Sequence, residues 1–190
     1  MKLVKNALIS LYINLFVIIL LLVSLLKFGL IKNDIGNLIK YLLMAGVIIS
    51  CIFNAIFAVK NVLKAYQLYK NKEYNSLRKH MKALKFGVIP YFVLNFVIYL
   101  FLFAILFVGS RGIMIVTPIP LIFLFPIFFT YLIVVFTSSY GIFFAVINSK
   151  EKGLSKMKLV LYTLLQLCFV LDVISTVILL IKYKKVEEIN

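Results

Sequence analysis

Tryptophan is absent from this chain of 190 residues, histidine occurs once, and 6 acidic residues face 21 basic ones. With so few acids, no apolar run holds a pair of carboxylates. The one histidine, His80, lies among lysines and reads as a solvated side chain. The motifs GxSxG, HExxH and the glycine-rich phosphate loop are all missing. An intramembrane protease or lipid phosphatase needs a nucleophile with a base, or metal ligands, at membrane depth. One buried acid supplies neither. The expectation is a protein that is not an enzyme and that needs no cofactor and no metal. The two cysteines, Cys51 and Cys168, lie in apolar runs without a CxxC neighbour. They read as small packing residues, with no disulfide framework or zinc site. Missing tryptophan beside abundant Lys, Ile and Asn fits an AT-rich coding sequence and a low-GC bacterium.

What the chain has is apolar length. Hydrophobic residues make up 64% of it, against ~45–50% in soluble domains, and its mean hydropathy is +1.12. A soluble chain must cover its surface with polar groups, so the solvent here is lipid. The fold expected is all-α: one polytopic membrane helix bundle spanning residues 1–190. Crossing a ~30 Å hydrocarbon core takes about 20 apolar residues. That length selects Ala7–Leu26, Tyr41–Val59, Phe86–Val108, Pro126–Ile147 and Leu159–Ile181. Five spans result, with four or six as the alternatives. Pro118, Pro120 and Pro126 crowd the start of the fourth run, where an irregular or re-entrant piece is expected.

Positive charge orients the spans. Lys2 and Lys5, eight basic residues from Lys60 to Lys85, and Lys150, Lys152, Lys156 and Lys158 fall on one side. Lys27, Lys32, Lys40, Arg111, Lys182, Lys184 and Lys185 fall on the other. The N-terminus is therefore predicted inside and the C-terminus outside, which leaves three tail lysines awkwardly exported. The connector 60–85 carries Val62, Tyr66 and Tyr69, then Tyr74, Leu77, Met81 and Leu84, at helical spacing. It reads as two short basic amphipathic helices with a break between Asn71 and Asn75. Lys64, Lys70, Lys72, Arg78, Lys79 and Lys82 would meet anionic head groups or a partner. Nucleic acid is not an expected ligand, because a cationic face beside a bilayer has the ordinary explanation.

The few polar residues in the apolar runs form faces. Gly46, Ser50, Asn54 and Ala58 recur every fourth residue, a stripe suited to close helix packing. Ser10 pairs in register with Asn14, Tyr91 with Asn95 and Tyr99, and Cys168 with Asp172, Ser175 and Thr176. Counted from the basic ends at 1.5 Å per residue, Asn14, Asn54, Asn95 and Asp172 lie about 12, 9, 15 and 21 Å deep. They form one candidate polar layer, joined by Thr137. Asp172 is the sharpest feature, because a charge at the bilayer centre costs at least ~2.5–3.5 kcal/mol. No Lys or Arg is assigned to its depth, so its partner is missing from this reading.

Two functions follow. One is a non-catalytic bacterial membrane protein acting through a membrane protein or peptide partner. It would be an accessory subunit of a transport system, or an immunity-type protein against a toxin or bacteriocin. The other is a small transporter or channel with Asp172 as proton or ion relay.

Overall fold

The apolar runs are helical, and the computed structural model shows how far each helix continues. It describes residues 1–28, 34–118, 121, 124–151, 155–168 and 171–182. The helices are α1 (Lys2–Phe28), α2 (Asp34–Lys70), α3 (Tyr74–Gly109), α4 (Leu124–Glu151), α5 (Lys156–Leu167) and α6 (Leu171–Lys182), with a 3-10 turn at Ile113–Val116. Among the described residues, four helices are long and apolar enough to cross a membrane. They bear out the all-α bundle and fit a multi-pass membrane protein.

Side-chain pairs fix the directions. Ser10 meets Asn54 and Asn14 meets Ser50, so α1 and α2 are antiparallel. Asn95 meets Thr130 and Lys85 meets Ser138, so α3 and α4 are antiparallel. Asn61 meets Tyr140 and Tyr69 meets Lys150, so α2 and α4 run together. Tyr12 reaches the Gly87 carbonyl and stacks edge-on to Tyr91, which aligns α1 with α3.

The basic connector is helical nearly throughout. It extends α2 and α3, and the chain reverses at Asn71–Glu73. There the N–H groups of Lys72 and Glu73 close onto the carbonyls of Tyr69 and Leu68. This motif ends helices with a left-handed residue, and Lys72 takes that role at φ 57°. Lys70, Lys72, Lys79 and Lys82 are exposed, while Lys64 and Arg78 are half-buried.

The fifth run departs from expectation. Leu159–Ile181 is not one continuous helix, because Cys168 adopts extended backbone (φ −94°, ψ 129°) and divides it into α5 and α6. Each has 12 residues, about 18 Å at 1.5 Å per residue, short of the ~30 Å core. Two attachments give the direction of α6. Asp172 pairs with Lys85, and the Leu180 carbonyl accepts from Arg78 at 3.1 Å. Rising numbers on α6 thus meet falling numbers on α3, so α6 returns toward the end where α3 begins. Lys182 thus closes α6 at the end where α3 begins. Tail residues 183–190, and part of the proline-rich segment that includes Pro120, lie outside the described residues.

Candidate functional site

Asp172 has a cation after all. Lys85 and Asp172 form a bidentate ion pair, with side chains 3% and 1% exposed. Lys85 heads the apolar part of α3 and was counted with the solvated connector. Its register shows otherwise, because Met81, Leu84, Val88 and Tyr91 are all buried on the same face. That i, i+3/i+4 pattern was the signal available in the sequence. Depth counting also misplaced Asp172, because it ran a straight helix through the break at Cys168. Asp172 lies level with Lys85, about 15 Å along α3 from Asn95 at 1.5 Å per residue.

Ser138 of α4 completes the site. Its hydroxyl accepts from Lys85 Nζ at 2.8 Å. Its one proton has three acceptors in reach: Val134 O at 2.7 Å, Gln166 O at 2.6 Å and Asp172 Oδ1 at 3.1 Å. A single side chain thus joins α3, α4, α5 and α6. Gln166, fully buried, donates to Thr176 Oγ1 at 3.0 Å and so ties α5 to α6. Its carboxamide rests on Gly141, where an added Cβ would lie only 2.5–2.8 Å from the amide atoms. Glycine is required there for contact, not for backbone freedom.

The hairpin has inverted polarity. Asp172, Ser175 and Thr176 are buried, while Leu171, Ile174, Ile178 and Ile181 are exposed. A soluble helix turns its polar face outward, whereas one surrounded by lipid turns it inward.

The other expected residues do not form one layer. Asn14 and Asn54 bridge α1 to α2 through Ser50 and Ser10, both at 2.6 Å. Asn95 bridges α3 to α4 through Thr130 at 2.9 Å. Among the described residues Thr137 bonds within its own helix, to Val134 O at 3.0 Å, and lines a cavity with Asn54. The small-residue stripe faces α1, and a Cβ on Gly46 would meet Val17 at 3.4 Å. His80 is not solvated. It is buried, bonded to Ser76 O at 2.6 Å, and stacked on Tyr140 at 5.6 Å. Cys168 is exposed, not packed. Sequence reasoning missed Lys85, Ser138, Gln166, Asn61 and Tyr140.

No curated protein and no solved structure matches the chain. It belongs to a family of unknown function, DUF6652, which it matches over residues 2–185.

Proposed function

We propose that the chain is a non-catalytic bacterial membrane protein that acts by engaging a membrane partner, as an accessory or immunity-type protein. Its basic end faces the cytoplasm and anionic head groups. The observation behind this reading is the α1–α2 seam. A groove of about 460 Å³ follows it, with Ser10, Gly46 and Ser50 on the floor and Ile9, Ile13, Ile49 and Phe53 as exposed walls. Small residues let a second backbone approach, and hydroxyls give it hydrogen bonds. Asn14 donates to Ser50 on that floor, and its own carboxamide oxygen is unpaired among the described residues. The occupant that suits such a seam is one transmembrane helix of the partner. Co-purification from native membranes in mild detergent, wild type beside Ile49→Trp, tests this. A defined partner lost on filling the groove supports it. A lone protein in both samples removes it.

The ion pair favours a second reading, a small transporter in which Asp172 is the relay. Ionisable groups at membrane depth commonly mark ion or proton pathways, and half-length helices commonly frame them. Flux into liposomes that survives Asp172→Asn unchanged would remove this mechanism.

A further inference from the structure

We infer that the lipid boundary runs obliquely across the bundle, and that acyl chains of the basic-side leaflet cover the outer face of the α5–α6 hairpin. This rests on the reading of the chain as a membrane protein with a basic cytoplasmic end. Three long helices set one boundary. Ser10 meets Asn54, and a Cβ on Gly87 would meet Leu8. The apolar runs of α1, α2 and α3 therefore end at one level, near Ala7, Val59 and Phe86. Beyond it lysines are exposed on all three helices: Lys2 and Lys5, Lys60 and Lys70, Lys79 and Lys82. The hairpin obeys a different limit. Asp172 sits at the common level, opposite Lys85. From Asp172 to Lys182, and from Gln166 back to Lys156, each helix rises about 15 Å beyond that level at ~1.5 Å per residue. Val160, Leu161, Leu164, Ile174, Ile178 and Ile181 are exposed along this rise. Among the described residues, every exposed one between Lys158 and Lys182 is apolar or cysteine. Lysines return only at the far end, as Lys156, Lys158 and Lys182.

The other end of the bundle is offset in the same direction. Lys85 meets Ser138 and Asn95 meets Thr130, so α4 begins, at Leu124, level with Tyr99 to Phe101 of α3. From there α3 runs on to Gly109, about 14 Å further. On α3, Phe86 to Val108 is about 33 Å tall. On the hairpin side, Pro126 to Ser138 and then the hairpin's rise also make about 33 Å. Each side thus fits one ~30 Å core, but the two are displaced by about 15 Å. The hairpin touches α3 and α4 and, among the described residues, neither α1 nor α2, so the displaced strips lie on opposite sides. Across three helix layers spaced about 8–10 Å apart, this offset is a tilt of about 30°, within the range of membrane helices. A protein partner suits the face less well. Protein interfaces carry about one hydrogen bond per 100–200 Å², and between its lysines this face exposes no hydroxyl, amide or charge. An apolar face with lysines at head-group height is the pattern that lipid covers.

The chain has no tryptophan, so single-tryptophan variants report each site separately. The full chain is placed in phosphatidylcholine–phosphatidylglycerol liposomes with brominated acyl chains, and quenching is compared with that by acrylamide in the water. Leu63→Trp on α2 and Leu161→Trp on α5 lie about 6 and 8 Å beyond the common level. The two leucines are 57% and 54% exposed, so height and exposure alone would make them alike. Phe96→Trp, exposed in mid-span on α3, is the reference for lipid contact. Leu161→Trp and Ile178→Trp are expected to lose as much emission to the bromines as Phe96→Trp does, and little to acrylamide. Leu63→Trp should do the reverse. Equal bromine quenching at Leu63→Trp and Leu161→Trp would mean a level boundary and would overturn the inference. So would hairpin tryptophans quenched by acrylamide alone, or by neither quencher, the sign of a protein covering the face. A reference tryptophan untouched by the bromines would remove the membrane reading itself, and the inference with it. Polarised infrared spectra of the wild-type chain in oriented bilayers test the tilt without any substitution. A mean helix tilt of about 30° is expected, and an upright bundle, below about 15°, would overturn it.

Discussion

Removing Lys85 alone should harm the protein more than removing the whole ion pair. Lys85→Met leaves Asp172 buried with only the Ser138 hydroxyl as donor. Breaking one side of a buried pair costs about 3–5 kcal/mol, while exchanging both members for apolar groups of similar size is often neutral or stabilising. The double variant Lys85→Met/Asp172→Val is suited to this, because Ser138 keeps the Val134 and Gln166 carbonyls as acceptors and is not orphaned. Asp172→Asn should fall between, at about 1–3 kcal/mol, because its amide oxygen still accepts from Lys85. The assay is reversible unfolding in mixed micelles, run as a double-mutant cycle. A second readout is maleimide labelling of Ser175→Cys, a fully buried position, with both native cysteines removed. Labelling should rise in Lys85→Met. A loss under about 1 kcal/mol for Lys85→Met, or single effects that simply add, would refute the reasoning.

Three further outcomes are expected. Gly141→Ala pushes a methyl group into the Gln166 carboxamide and should destabilise by about 1–3 kcal/mol, again read by labelling at Ser175→Cys. Asn95→Leu removes a single interhelical bond to Thr130 and should cost only about 0.6 kcal/mol in the same unfolding assay. Reporters fused before residue 1 and after residue 182 should appear on the same side of the membrane. Opposite sides would mean that α5 and α6 form a crossing.

The parts of the fold legible in the sequence were those governed by local rules. The first four apolar runs became the four long helices because length and hydropathy alone decide a span. The reversal near Asn71 and the stripe from Gly46 to Ala58 were also visible, since each is a pattern within one helix. The break at Cys168 was not. The sequence LCFVLD contains neither proline nor glycine, and nothing in it forbids a continuous helix. What divides the run is tertiary: Gln166 seats on Gly141 and Asp172 is drawn to Lys85. Lys85 was misread for a related reason. A lysine beside an apolar run is normally a snorkelling residue, and only the buried face it shares with Met81 and Val88 shows that it points inward.

The acid in the fifth run is best understood from what the hairpin would do without it. In water, an apolar hairpin would be driven onto the bundle by burial. In a bilayer that drive vanishes, because lipid tails are as apolar as leucine. The exposed face of α6 shows the consequence: Leu171, Ile174 and Ile178 lie on the outside although a core is within reach. Half-length helices also lack the membrane thickness that fixes a spanning helix in register. Position then rests on directional contacts at two heights: the cluster of Ser138, Gln166, Lys85 and Asp172, and Arg78 with Leu180. Of these contacts, the ion pair alone joins two charges. Its value is in specifying where α6 sits on α3 rather than in net stability, which is the best-attested use of a buried pair. An apolar replacement should therefore keep the bundle folded yet let the hairpin slide. The sign of such sliding is a double variant that unfolds like wild type while residues 175–179 take up label at several neighbouring positions.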